Sequence, residues 1–279
     1  VTAVIPNYNN GYVLKEVLES VVSQKSWEPI ISILDNCSND ESWSIISEFI
    51  NNVPGMTALK LPFNLGPHIT SAILHRGPTT KYTLFASGND ILIDPWQIQQ
   101  MYLYLESDTS TNLVYGRNAL SNSYCEPTQF SFSVPNLERR TQMGLSNLDC
   151  MDIATWLYTS SEPLWGLYRS ESTKLIPSVS SYGADHPFIS TIAFYGGIAG
   201  IRRPFKRISK SNIDGTSRRL SQIQSNYHSE SNCSKTLPIE QTCMTALAYS
   251  YYKSIRDSLW SIEEKSQAID RSTDIITSR

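Results

Sequence analysis

Three short stretches decide the fold: VIPNYN at residues 4–9, ILDNCSND at residues 33–40 and LFASGND at residues 84–90. Each is an apolar run, typical of a buried strand, that ends in polar and acid-bearing residues. In open α/β sheets, ligands bind at the edge where the carboxyl ends of the strands meet. The three stretches therefore predict one polar site, built from successive strand ends and suited to a nucleotide and a metal ion.

Helical patterns separate these runs. Residues 12–24 place Val13, Val17, Leu18 and Val21 at helical spacing, and the acids at 40–41 open a second amphipathic helix where the helix dipole favours negative charge. Strands are predicted at residues 1–6, 29–35, 56–61 and 81–86. This alternation predicts an α/β fold: a Rossmann-like, mainly parallel mixed sheet flanked by helices.

The second part of the chain has weaker patterns. We expect helices at 96–106, 152–159, 188–195 and from 239 onward, and strands at 113–115 and 164–168, whereas residues 117–150 carry no pattern that places elements. The organisation predicted is a main domain at 1–200 with halves 1–95 and 96–200, a basic flexible loop at 201–235, and a helical C-terminal extension at 236–279.

Composition excludes several classes of protein. The chain has 279 residues, of which 40% are hydrophobic, enough for a packed core, and its net charge of −3 gives no sign of nucleic acid binding. It has no apolar run of 18 residues and no recognisable signal peptide. The five cysteines are odd in number and lack C-x-x-C spacing, which argues against a disulfide framework or a zinc site and favours a cytoplasmic location.

The three stretches resemble the motifs of family 2 glycosyltransferases, V-I-P-x-Y-N, D-[DN]-x-S-x-D and D-x-D, which occur on the GT-A fold. The resemblance covers residues 1–95 well and 160–195 loosely. It implies an inverting enzyme that moves a sugar from a nucleotide-diphosphate donor, with UDP or dTDP expected, to a hydroxyl of a saccharide or lipid-linked saccharide. Residues 1–95 would then bind the nucleotide and 96–200 the acceptor.

The resemblance also implies which residues hold the nucleotide sugar. Pro6 and Tyr8 correspond to the floor of the base pocket, and Asp35 and Asn36 to the loop that contacts base and ribose. The other positions implied are Asn64, Gly66 and Asn89. Two plainer interpretations stay open: an Asx-turn at Asp35 that caps the following helix, and a turn glycine at Gly66.

Asp90 stands where the family has its metal-binding aspartate, so the resemblance implies Mn²⁺ or Mg²⁺. Such an ion takes one or two carboxylates plus the phosphates and stabilises the charge on the departing diphosphate. Ser87 and Asn89 replace acids that are common in the family, which leaves Asp90 as the strong ligand. The alternative is that Asn89 and Asp90 form only a turn before a buried strand.

Asp185 is the candidate general base, since the family places an acid just before a helix in its second half. Asp149 and Asp152 are weaker candidates. Asp185 could instead be only the N-cap of that helix. On the acceptor side the resemblance implies Trp165, which could equally be a core residue, and His186.

The stretch from Arg202 and Arg203 to Arg219 is rich in basic residues. It could be a lid that neutralises the diphosphate, a patch that contacts anionic lipid or a lipid-linked acceptor at the inner face of the membrane, or a solvated loop.

Two other functions compete with the transferase. A catalytically degenerate GT-A module that still binds a nucleotide sugar or saccharide is favoured by Ser87 and Asn89. A nucleotidyltransferase ranks lower, because it would need a Gly-rich, Arg-containing phosphate loop after the first strand. Residues 7–11 read NYNNG, and the first basic residue is Lys15.

Overall fold

The computed structural model of the protein describes residues 1–28, 30–120, 133–157, 162–177, 185–208 and 239–277. Its strands are β1 (Thr2–Asn7), β2 (Ile30–Asp35), β3 (Met56–Lys60), β4 (Tyr82–Phe85), β5 (Asp90–Leu92), β6 (Thr111–Leu120), β7 (Gly166–Arg169) and β8 (Gly197–Ile208). Its helices are α1 (Gly11–Val22), α2 (Ser42–Asn52), α3 (Pro67–Arg76), α4 (Gln97–Ser107), α5 (Leu137–Met143), α6 (Asn147–Leu157), α7 (Ser170–Lys174), α8 (Asp185–Tyr195), α9 (Ile239–Arg256) and α10 (Ile262–Thr277).

The strands form one mixed sheet in the order β3-β2-β1-β4-β7-β6-β8-β5. The four strands from the first part of the chain are parallel, with β1 between β2 and β4. Their carboxyl ends therefore meet at one edge of the sheet. Helix α1 buries the apolar side chains that its spacing predicted, including Val17 and Leu18. The prediction of a mainly parallel mixed sheet flanked by helices is confirmed.

The second half of the sheet is where the structure adds most. Strand β7 joins β4 and β6 in antiparallel pairs, and β5 pairs antiparallel with β8. The short elements β5, α5 and α7 were not predicted, because three to seven residues are too few to establish a periodicity. Strand β6 extends over ten residues, where the sequence indicated three.

Residues 201–208 belong to strand β8, although the sequence suggested that a flexible loop begins at 201. The strand forms because it gains ladder partners on both sides, in β6 and β5. These partners are distant in sequence, and the basic run lacks the alternation that would have revealed a strand. The remainder of the predicted loop, 209–235, lies outside the described residues.

The C-terminal helices pack on α6 and α8. They share an apolar cluster whose buried members are Leu148, Met151, Phe194, Tyr251, Ile255, Trp260 and Ala268. Arg271 of α10 donates hydrogen bonds to Asp149 and Asp152 of α6, at 2.9 Å each. Bonds from Ser146 and then from Arg271 lower the pKa of Asp149 to about 2. Both acids thus serve the α6–α10 interface. Among the described residues, no helix is long and apolar enough to cross a membrane.

A buried arginine holds the far end of α8. Arg140, 2% exposed, donates to the carbonyl oxygens of Ala193 (2.6 Å) and Phe194 (2.9 Å) and to the side chain of Asn147 (3.0 Å). A cation at a helix C-terminus also interacts favourably with the helix dipole. Arg140 therefore fixes the helix whose first residue is Asp185.

Replacing this arginine tests its structural role. Arg140→Ala removes charged hydrogen bonds from a buried site and should lower the free energy of unfolding by about 2–4 kcal/mol, measured by urea denaturation. Arg139→Ala is the matched control: this neighbour is exposed, and its loss should change the stability by less than about 0.5 kcal/mol. Equal effects of the two substitutions would contradict this account.

Candidate active site

The loops after β1 and β2 are joined by a fully buried carboxylate. Asp35 is 0% exposed, and its Oδ1 accepts a hydrogen bond from the Asn7 side-chain amide at 2.8 Å. Its Oδ2 accepts one from the backbone N–H of Ser38, three residues on, at 3.0 Å. Because α2 begins only at Ser42, Asp35 does not cap that helix, as the alternative interpretation had it. The Ser38 hydroxyl in turn accepts from the backbone N–H of Asn9 at 2.9 Å. Through Asn7 and Ser38, the buried Asp35 carboxylate thus holds the loops after β1 and β2 together.

The loops after β2 and β3 are joined by two amides. The Asn36 side chain donates to the Asn64 side-chain oxygen at 2.7 Å and accepts from the backbone N–H of Leu65 at 2.8 Å. Gly66 follows with φ of 80°, a conformation that favours glycine, and α3 begins at the next residue. The structure therefore brings Asn36, Asn64 and Gly66 together at the edge.

Two aromatic side chains are exposed at this edge. Tyr8, which the sequence singled out, is 37% exposed in the loop after β1. Phe63, next to Asn64, is 62% exposed and was missed. A single aromatic residue in a turn carries no periodic signal. Phe63 therefore becomes a candidate only because the structure places it next to the Asn36–Asn64 pair.

The loop after β4 lies against the β1 loop. The backbone N–H of Gly88 donates to the carbonyl oxygen of Pro6 at 3.2 Å. The Ser87 hydroxyl donates to the Asn89 side-chain oxygen. Asn89 and Asp90 are 9% and 6% exposed, and Asp90 is the first residue of β5, as the plainer interpretation of this pair had it.

The donor atoms near Asp90 fit a divalent cation only in part. The described residues contain no group of three or more His, Cys, Asp or Glu side chains that could hold a metal by themselves. They do offer one carboxylate at Asp90, an amide at Asn89 and a hydroxyl at Ser87. Mg²⁺ and Mn²⁺ prefer oxygen, and Mg²⁺ needs only one or two protein carboxylates when phosphates complete the shell. The set therefore fits a cation that arrives with a diphosphate.

On the acceptor side, Asp185 and His186 lie half-buried in the first turn of α8. Tyr168 is fully buried, and its pKa is raised well above the usual value by burial and, secondarily, by the charge of Asp185. The two residues are thus electrostatic neighbours. Trp165 is half-buried and stacks on Phe85, with centroids 5.2 Å apart, so the core interpretation holds for at least one ring face.

The first part of the basic run lies on β8, the strand that pairs with β5. Arg202 and Arg203 lie where the pairing of β8 with β6 shifts register, between Gly200 and Pro204, and their side chains are outside the described part of the chain. Further along, Ile208 pairs with Asp90. The backbone of the basic run on β8 is therefore paired with β5, the strand that begins at Asp90.

A parallel sheet extended by antiparallel strands, with a polar edge formed by the loops after β1, β2, β3 and β4, is the architecture of GT-A glycosyltransferases. The sequence model of the family described as "Glycosyl transferase family 2" matches residues 2–145, more than half of the chain, and the chain belongs to this family. The chain therefore carries the glycosyltransferase domain of this family, which argues against the nucleotidyltransferase hypothesis. A comparison with curated protein sequences finds no significant match.

Solved structures of other GT-A enzymes share the fold. S. aureus TarS superposes with a TM-score of 0.59 at 17% identity, covering 99% of this chain and 48% of that one, so the chain spans about half the length of TarS. TarS 1-349 in complex with UDP-GlcNAc gives 0.58 at 16% identity, covering 99% and 80% of the two chains. The mannosyltransferase PcManGT from Pyrobaculum calidifontis, in complex with GDP-Man and Mn²⁺, gives 0.57 at 12% identity, covering 99% and 74%.

The contact between the β1 and β4 loops can be tested at Gly88. A Cβ there would lie 2.8 Å from the Pro6 carbonyl oxygen and 3.0 Å from Asn7 Oδ1, so Gly88→Ala should lower the free energy of unfolding by about 1–3 kcal/mol. Gly77→Ala is the control, because a Cβ there meets nothing closer than 3.7 Å. It should be neutral or stabilising by up to about 1 kcal/mol. Urea denaturation measures both, and a neutral Gly88→Ala would contradict the close approach.

Proposed function

We propose that the chain is an inverting glycosyltransferase that moves a sugar from a nucleotide-diphosphate donor to a hydroxyl of a saccharide or lipid-linked saccharide. One observation carries the proposal: the loops after β1, β2, β3 and β4 are joined to one another at a single edge of the sheet. The joining contacts are Asn7–Asp35, Asn36–Asn64 and Pro6–Gly88. A nucleoside diphosphate has a base, a ribose and two phosphates, which together can contact all four loops.

The base and ribose are assigned to the loops after β1, β2 and β3. Tyr8 offers an exposed ring face beside Pro6, and the amides of Asn36 and Asn64 can both donate and accept hydrogen bonds. Gly66 lets the backbone approach closely. Asp35 acts chiefly through Ser38 and Asn7, because its carboxylate is fully buried. UDP or dTDP is the expected nucleotide. TarS 1-349 has been solved with UDP-GlcNAc and UDP, and PcManGT with GDP-Man.

The diphosphate is assigned to the loop after β4 and to the basic run. Asp90 would hold Mn²⁺ or Mg²⁺, with Asn89 as a neutral helper. The bound ion would stabilise negative charge on the departing diphosphate. Arg202 and Arg203, on the strand that reaches Asp90, supply fixed positive charge for the same anion.

Asp185 is assigned as the general base. As the acceptor oxygen bonds to C1 of the sugar, its proton passes to the Asp185 carboxylate. The bond from C1 to the phosphate oxygen breaks on the opposite face, and its electron pair leaves with the nucleoside diphosphate. His186 and Trp165 are assigned to the acceptor, since an aromatic plane suits the C–H side of a sugar.

The second candidate is a GT-A module that binds a nucleotide sugar without transferring it. The presence of one carboxylate, where the family commonly has two or three, is the observation that favours it. Either function is expected in the cytoplasm, and a lipid-linked acceptor would bring the basic run to the inner face of the membrane.

Nucleotide binding should depend on a metal ion and on Asp90. In calorimetric titrations with UDP, dTDP and GDP, we expect one nucleotide to bind in Mn²⁺ and to lose affinity in EDTA. Asp90→Ala should weaken metal-dependent binding at least about tenfold. Asp270→Ala, a substitution at an exposed position on α10, should bind as the wild type does. A nucleotide affinity that changes neither with EDTA nor with Asp90→Ala would contradict the assignment of Asp90 as a metal ligand.

Transfer should depend on Asp185 while binding does not. Asp185→Asn keeps the size of the side chain but cannot accept the proton, so kcat should fall about 10²–10⁴-fold with the nucleotide Kd unchanged. The assay is release of the nucleoside diphosphate from UDP-GlcNAc and GDP-Man, with Asp270→Asn as control. A wild-type chain that binds the nucleotide tightly but turns over no donor would support the binding module instead.

A further inference from the structure

Four aromatic rings form a continuous stack inside the protein, here called the aromatic column: Trp165, Phe85, His75 and Phe188. The Trp165 and Phe85 rings are 5.2 Å apart and inclined by 16°. Phe85 and His75 are 4.0 Å apart at 14°, and His75 and Phe188 are 4.2 Å apart at 34°. The column therefore passes through residues that the chain separates by more than a hundred positions.

The two sides of the column belong to the two halves of the candidate site. Phe85 is the last residue of β4, two residues before Ser87 and the loop assigned to the diphosphate. Phe188 lies in the first turn of α8, three residues after Asp185. Trp165 immediately precedes β7. His75 lies between Phe85 of the sheet and Phe188 of the helix that carries Asp185.

His75 behaves as a flat ring rather than as a polar group. It is 5% exposed, and burial lowers its pKa to about 3, so the imidazole is neutral. Among the described residues, neither ring nitrogen has a hydrogen-bond partner. The backbone of His75 is fixed by a bond of 2.8 Å from the Thr173 hydroxyl of α7. The side chain thus contributes its shape and its ring faces.

Tyr168 supports the column from the side. Its ring meets His75 edge-on at 5.8 Å and Phe188 at 5.9 Å. Its hydroxyl donates toward the carbonyl oxygens of Pro163 (3.0 Å) and Leu164 (2.7 Å). Tyr168 therefore packs an anchored ring against the side of the column, at both His75 and Phe188.

We propose that the aromatic column sets the distance between Asp185 and the β4 edge, with His75 as a positioning residue at its centre. The inference rests on the proposed function, because it takes Asp185 as the base. Planar rings at contact distance allow little compression, whereas a branched aliphatic side chain would leave α8 free to shift. A displacement of about 1 Å in a reacting group can cost about 100-fold in rate.

The test compares two replacements of similar size. His75→Leu removes the planar ring, and His75→Phe keeps it while deleting both nitrogens. We expect His75→Leu to lower kcat for donor turnover about 10- to 100-fold while the nucleotide Kd stays within about twofold. His75→Phe should recover most of the lost kcat. Turnover is measured with UDP-GlcNAc and GDP-Man, and Kd with UDP and GDP in Mn²⁺.

Two further variants separate position from stability. Ile46→Ala, at a buried position of α2 in the core of the parallel half, should lower Tm but leave kcat unchanged below the unfolding transition. Phe188→Leu breaks the column at its next ring and should reproduce the kcat loss of His75→Leu, so it serves if His75→Leu fails to fold. A wild-type kcat in a folded His75→Leu or Phe188→Leu protein would overturn the proposal. A kcat loss in His75→Phe equal to that of His75→Leu would also overturn it, because the nitrogens would then be responsible.

The two proposals fail in different ways. If Asp185→Asn turns over donor at the wild-type rate, the assignment of the base is lost whatever the column variants do. If Asp185→Asn loses turnover while His75→Leu keeps it, only the column proposal fails.

Discussion

The hydrogen bond from the Asn7 amide to the buried Asp35 carboxylate is the contact on which the candidate site depends. It joins the ends of the two central parallel strands, and the same carboxylate holds the turn at Ser38. A buried carboxylate is costly unless it is well hydrogen-bonded, so this arrangement tolerates few alternatives. With the β1 and β2 loops fixed, the Asn36 side chain donates to the Asn64 side chain, and the Pro6 carbonyl oxygen accepts a hydrogen bond from the Gly88 N–H.

The rest of the molecule serves to place a second group of residues opposite that edge. Arg140 holds the C-terminal end of α8, and the α9 and α10 helices cover the same helix and α6 through their shared apolar cluster. The aromatic column approaches the opposite end of α8. A helix secured at both ends can present Asp185 at a defined place. The proposed inverting transfer requires a defined place for the base, because the attacking hydroxyl, the sugar carbon and the leaving oxygen must lie in line.

The proposed metal site at Asp90 has fewer ligands than is common in the family. One carboxylate with neutral neighbours binds a divalent ion weakly by itself, but a diphosphate supplies most of the ligands in such a site. Positive charge on β8, whose end pairs with β5 at Asp90, lies on the strand adjoining this carboxylate. In the proposed function, a diphosphate donor would bring both the ion and the negative charge that the basic run complements, and metal binding would then be coupled to donor binding.

The sequence by itself determined the parallel half of the sheet and the residues at its edge. Local patterns of apolar runs and helical repeats predicted the strands and helices. The resemblance of the strand ends to the family's motifs then indicated the edge residues: Pro6, Tyr8, Asp35, Asn36, Asn64, Gly66, Asn89 and Asp90. Only the tertiary structure decided how far β6 and β8 extend and that β5 pairs with the distant strand β8. It also decided that His75 stacks between Phe85 and Phe188. Ladder pairing and ring stacking join residues remote in sequence, and no local periodicity records such contacts. His75 and the aromatic residues Trp165, Phe85 and Phe188 therefore became informative only when the fold stacked their rings on one another.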